Sequence, residues 1–211
     1  MITCSHYTVT RNGSTCIILD SNITGILHYN KTDNSTEEFK FNITGRMSGG
    51  SCKEMQYLVI SFDSGINKKE WNLTIYFNQT DDSFQISNFT LRAYLPFKAN
   101  VTEPHVYVMD EHAELGVNTD KNEAYKCSEV VLSFRDGATV NFHNTRLIAY
   151  AHLNATEFPE NQKYSICQLD VRTSDLVPIV VGACLATLVI IVLIAYLVGR
   201  ARAKRQGYAS V

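Results

Sequence analysis

The chain has 211 residues, 45% of them hydrophobic, with 19 basic residues against 21 acidic ones and a net charge of −2. A length of this order fits one domain of about 170 residues plus a membrane segment. Outside the four basic residues near the C-terminus the balance is acidic, which argues against a nucleic-acid partner.

The chain opens Met1-Ile2-Thr3-Cys4-Ser5-His6-Tyr7, with neither a basic stretch nor an apolar one. A secretory leader needs both, so the expectation is a chain read after processing or a piece of a longer one, with self-insertion of the membrane span as a reverse anchor the less favoured alternative. Residues 1–14 are taken as an N-terminal segment and residues 15–170 as the folded domain. Residues 171–175 form a juxtamembrane stretch, 176–198 a membrane span and 199–211 a tail.

Along the domain, Asn-x-Ser/Thr recurs at Asn12, Asn22, Asn30, Asn34, Asn42, Asn72, Asn78, Asn88, Asn100 and Asn154. Each is an acceptor for N-linked sugar if the segment enters the secretory pathway. Sugars must point outward, so the sequons test strand registers. In Phe39 to Thr44, alternation sends Phe39, Phe41 and Ile43 inward and leaves Asn42 outside. In Asn72 to Asn78 it sends Leu73, Ile75 and Phe77 inward and puts both sequons on the opposite face. Ala138 to His143 alternates as well. In Leu147 to Asn154, alternation groups Leu147, Ala149, Ala151 and Leu153 against Ile148, Tyr150, His152 and Asn154. Gly49-Gly50 reads as a turn. These short, aromatic and β-branched runs predict an all-β domain of antiparallel strands, each burying one face.

Residues 101–126 carry no sequon. With Val106, Tyr107, Val108 and Met109 among polar neighbours, they are the candidate for an unsugared contact surface. The densest polar cluster, Asp110-Glu111-His112-Ala113-Glu114, reads as a solvated loop, because no zinc-ligand or acid–base partner motif accompanies it. No His-Glu-x-x-His, Gly-x-Ser-x-Gly or phosphate loop is present in the sequence, and no cofactor or catalytic residue is expected.

Of six cysteines, Cys184 lies in the apolar run. That leaves Cys4, Cys16, Cys52, Cys127 and Cys167 in a compartment that permits disulfides. Sequence alone does not fix their connectivity. The economical reading is two loops of similar size, Cys16 to Cys52 and Cys127 to Cys167. Cys4 is then left over, to pair with a missing segment, to join another molecule, or to stay free. An immunoglobulin sandwich needs a Trp between paired cysteines, and Trp71 lies outside both loops.

Leu176 to Val198 is free of charge and long enough to cross a bilayer, with Ser174 or Asp175 as its cap and Pro178 in its first turn. Arg200, Arg202, Lys204 and Arg205 follow at once, and their excess over the mixed opposite flank places the tail in the cytosol. With those four set aside, 15 basic residues face 21 acidic ones, so the outer portion is mildly acidic. Tyr208 and Val211, preceded by Gly207, make a Tyr-x-x-Φ signal. Its expected partner is the medium subunit of clathrin adaptor complexes, bound as an extended peptide.

The span Leu176 to Arg200, the ending Gly207-Tyr208-Ala209-Ser210-Val211, the two cysteine intervals and Tyr125-Lys126-Cys127 together resemble the lysosome-associated membrane glycoproteins. The resemblance implies a β-prism luminal domain with disulfides Cys16–Cys52 and Cys127–Cys167. It also implies residence in lysosomal and late-endosomal membranes, with transit through the plasma membrane, and a sugar coat supporting lysosome integrity, fusion and autophagy. The best-known members carry two luminal domains joined by a hinge, whereas one domain and no hinge are legible here. The tail is about two residues longer than usual. A second class of function is a binding protein: an endocytic receptor, a lipid carrier, or an accessory subunit of a lysosomal channel or transporter. Beyond the bilayer and the adaptor, the expected partners are a second copy of the chain or another lysosomal membrane protein.

Overall fold

The computed structural model describes residues 4–30, 36–65, 69–80, 83–94, 103–111, 118–120 and 123–207. They form two separate units, residues 1–167 and 168–211.

In chain order the first unit contains β1 (Ser5–Arg11), β2 (Ser14–Asn30), β3 (Thr36–Ile43), β4 (Arg46–Cys52), β5 (Gln56–Asp63) and β6 (Glu70–Gln79). There follow β7 (Ser83–Ala93), β8 (His105–Val108), β9 (Asn118–Asp120), β10 (Ala124–Ser133), β11 (Ala138–Ile148) and β12 (Tyr164–Ile166). Among the described residues they build two six-stranded sheets. The first runs β1-β2-β11-β10-β12, with β3 also on β2; the second runs β4-β5-β6-β7-β8, with β9 also on β7. One long strand in each sheet serves two short partners. β2 pairs β1 through its first half and β3 through its second, and β7 pairs β9 at its start and β8 at its end.

The sheets bury their facing sides in one core, the β-prism arrangement. Alternation produces it. Leu73, Ile75 and Phe77 on β6 are buried while Asn72, Thr74 and Tyr76 are half-exposed and Asn78 is exposed. On β3, Phe41 and Ile43 are buried, Phe39 packs half-buried against them, and Asn42 is exposed. Ala138, Val140 and Phe142 point inward on β11. Trp71 sits among Phe39, Phe41 and Phe62, with ring centroids 5.2–6.0 Å from its own.

Four expectations change. First, the strand through Leu147 stops at Ile148 instead of alternating to Asn154. Ile148 is buried in a second, smaller core on the outside of the first sheet, with Ile18 and Ala124, under Leu153, Phe158 and Tyr164. Tyr150 turns the chain at φ 56°, held by its N–H donating to Gln56 Oε1 at 2.9 Å. Because this segment covers β2 from outside, Thr15 to Ser21 are buried on both faces. Second, Gly49 and Gly50 are not a turn but lie within β4, opposite Val59 and Leu58. A Cβ on Gly50 would stand 2.6 Å from a Val9 methyl carbon, so the missing side chain lets β1 approach β4. Third, β12 runs parallel to β10, which the all-antiparallel expectation did not include. The chain leaves β11, crosses the outer core and re-enters in β10's direction, as a parallel pair requires.

The fourth concerns the other unit. α1 (Gln168–Gly207) starts directly after Cys167, so Ser174 and Asp175 lie inside the helix and do not cap it. Asp170 occupies the first turn, where its charge suits the helix dipole.

Gly25 gives a direct test of the packing. A Cβ there would come 2.2 Å from Cζ of Phe41, its cross-strand partner. Gly25→Ala is expected to lower stability by about 1–3 kcal/mol through overpacking, read as a fall in the urea midpoint at unchanged slope.

Candidate functional site

Seven sequon asparagines have described side chains, and none is buried. Asn12 and Gly13 form the two-residue turn between β1 and β2, at φ 52° and 80°. Positive φ at both residues is what a tight hairpin needs, and Asn followed by Gly is the pair that tolerates it. Asn22 and Asn42 sit on the outer face of the first sheet. Asn72, Asn78 and Asn88 sit on the outer face of the second. Asn154 is exposed on the segment that covers the outer core. The backbone of Asn30 ends β2, its side chain is outside the described set, and Asn34 and Asn100 lie outside the described residues.

Cys16 on β2 is bonded to Cys52 at the end of β4, joining the two sheets. Cys127 on β10 is bonded to Cys167, the residue before α1. Cys4 and Cys184 are free and exposed. Burial pushes the Cys4 thiol up and the Asp20 carboxylate adds to it, against a smaller opposite effect of Arg146. The thiol therefore stays protonated in neutral or acidic surroundings.

Asp20 is the centre of a polar cluster that sequence reasoning missed. Its Oδ1 lies 2.5 Å from His6 Nδ1, and its Oδ2 accepts from Arg146 at 2.6 Å. The Arg146 guanidinium covers the Phe158 ring at 5.1 Å. His6 is on β1, Asp20 on β2, Arg146 on β11 and Phe158 on the covering segment, so the cluster ties four elements together. Nothing in the sequence could reveal it, since Asp20 and Arg146 are 126 residues apart.

The segment 101–126 is only partly available as a contact surface. On β8, Val106 and Val108 are 46% and 39% exposed, but Tyr107 between them is 3% exposed and belongs to the core. Met109 bridges to Phe134, and Ala124 and Tyr125 are buried. Among the described residues of this segment, the exposed large apolar side chains are Val106 and Val108. Glu111 in the acidic cluster pairs with Arg135, and His112, Ala113 and Glu114 lie outside the described residues. Between the sheets, Leu19, Ile75, Phe77, Ile86, Leu132 and Phe142 line an apolar cavity of about 10 Å³. That is space for one water at most and far too little for a lipid.

In α1, Ile179–Arg202 has a mean hydropathy of 2.9 and none of it is buried in protein. An apolar surface of that length is covered by a bilayer. Thr187 donates its hydroxyl to the Ala183 carbonyl at 2.8 Å, so its polar group is satisfied within the helix. Gly207 is the last residue of α1, while Tyr208 and Val211 lie outside the described residues.

The family model "Lysosome-associated membrane glycoprotein 2, transmembrane segment" matches residues 177–209. Lysosome-associated membrane glycoprotein 1 of Gallus gallus is 29% identical over 97% of this chain and 47% of its own length. That of Mus musculus is 28% identical over 99% and 49%. The chain thus spans about half the length of the curated relatives it matches. Among solved structures, the membrane-proximal domain of mouse lysosome-associated membrane protein 1 superposes with a TM-score of 0.61 at 20% identity. It covers 81% of this chain and 99% of that one. The human lysosome-associated membrane protein 3 superposes at 0.56 and 18% identity, covering 79% and 100%.

Proposed function

We propose, for a chain that belongs to the lysosome-associated membrane glycoprotein family, that its luminal domain serves as a carrier of carbohydrate. It is a single-pass lysosomal membrane glycoprotein, and at the level of the family it is structural and not an enzyme. The sugars borne by the β-prism shield the limiting membrane from luminal hydrolases and support lysosome integrity, fusion and autophagy. One observation carries this reading: every sequon asparagine with a described side chain lies off the core, on the outer faces of both sheets, at a turn or on the segment covering the outer core. Strands that bury one face leave the other for sugar without disturbing packing.

Delivery belongs to the tail. Tyr208 and Val211 bind an adaptor medium subunit as an extended strand, the ring in one pocket and the aliphatic side chain in another. The four basic residues hold the tail against anionic lipid, at about 1 kcal/mol each. Tyr208→Ala is expected to move the protein from lysosomes to the plasma membrane by at least several-fold in surface labelling. Unchanged lysosomal delivery of that variant would exclude the signal. A glycosidase mobility shift on the same protein checks the sugars independently.

A protein-contact role is favoured by Val106 and Val108, two exposed apolar side chains on β8. The cavity between the sheets is too small to hold a lipid.

A further inference from the structure

The outer face of the second sheet carries an aromatic pair that the core does not explain. Tyr57 on β5 and Tyr76 on β6 are cross-strand partners, with ring centroids 5.8 Å apart and planes tilted by 44°. Both point away from the core and are half-exposed. Neither hydroxyl has a hydrogen-bond partner among the described residues. The same face carries Val59 two residues along β5, Thr74 on the strand of Tyr76 and Thr90 on β7.

Tyr76's partner on the other side is Asn88, a sequon asparagine. The pairing register shifts there, between Tyr76 and Phe77, so that Ser87 and Asn88 both face outward on β7. A bulge of this kind re-aims a side chain. Asn88 is exposed, and its Oδ1 accepts from the Phe89 N–H at 2.7 Å. That bond fixes the carboxamide and leaves Nδ2, the atom that bears sugar, free of any partner among the described residues. Directly opposed residues place their Cβ atoms about 4.5–5.5 Å apart. A sugar joined to Asn88 therefore begins beside the Tyr76 ring, with Tyr57 continuing the platform.

We propose that Tyr76 and Tyr57 form a stacking platform for the first N-acetylglucosamine of the chain's own Asn88 glycan. One face of a pyranose presents C–H bonds of slight positive charge. The face of an aromatic ring is negative, so the two attract as they pack and exclude water. The platform turns this glycan from a solvated appendage into part of the fold. The inference rests on the glycosylation proposed above.

The test is a double-mutant cycle on the full-length chain, made in secretory cells and held in detergent. Mass spectrometry of the Asn88 peptide measures occupancy in each preparation. Asn88→Gln is expected to lower the melting temperature by roughly 2–4 °C when Tyr76 is present. In a Tyr76→Leu background the same change should move it by less than half as much. Tyr76→Phe, which keeps the ring, should retain the full effect. Thr90→Ala, which removes the sequon and keeps Asn88, should repeat the result of Asn88→Gln. Trimming the glycan to its first sugar should leave the coupling intact, since only that sugar touches the rings. If Asn88 is occupied and the shift is equal in both backgrounds, the tyrosines pack only on each other and the platform is overturned while glycosylation stands. If Asn88 is unoccupied, the glycosylation reading fails at this site and the platform with it.

Discussion

Replacing Cys16 and Cys52 together by serine is expected to destabilise the luminal domain by about 4 kcal/mol. The bond closes a loop of 36 residues, and its loss returns that much freedom to the unfolded chain. Domains of this size have about 5–15 kcal/mol in total, so the loss consumes a large share. Its position aggravates the effect, because Cys16 belongs to one sheet and Cys52 to the other. The Cys127–Cys167 bond, over 40 residues, has a comparable entropic worth but lies within the first sheet's strands and their exit. Urea unfolding of the double-serine variant measures the loss directly, and retention before the lysosome should accompany it. A midpoint within error of the native one would show that packing alone holds the sheets together.

Trp71→Ala is expected to cost about 3–5 kcal/mol. Trp71 is fully buried and stands among Phe39, Phe41 and Phe62, which come from both sheets. Removing it empties the centre of that group, and close-packed rings cannot collapse into the space without moving strands. Trp71→Phe should cost less. It keeps an aromatic ring and removes an indole N–H that has no partner among the described residues. Far-UV circular dichroism during urea unfolding compares the variants. Trp71 is the only tryptophan in the chain, so emission excited selectively at tryptophan reports this site alone.

Much of the domain was legible where one local rule governed. The alternation around Asn72 and Asn78 placed Leu73, Ile75 and Phe77 in the core because a strand with one wet face has only that choice. The membrane segment was legible because length and charge decide it. The disulfide loops were legible as the economical reading of the two intervals, a pairing the resemblance also implied, although cysteine positions alone do not fix connectivity. Failures arose where distant chain decided. Ile148 looked outward until residues 149–163 folded over it, and Gly50 looked like a turn until Val9 needed the space. The Asp20 cluster and the Tyr57–Tyr76–Asn88 face draw on residues from separate strands, which no local pattern can align.

The pairing of β2 with β11 also governs the order of events during synthesis. Thr24 on β2 and His143 on β11 face each other from 119 residues apart. At about 5–20 residues per second, β2 waits roughly 6–24 s for the strand that completes it. Through that interval the segment holding Asn22 and Asn42 lacks its full set of neighbours. A modifying enzyme that reads extended, unpaired chain meets these asparagines before the sheet closes. Under the glycosylation proposed above, the long-range topology that slows folding keeps these two acceptor sites unpaired while the chain is still emerging.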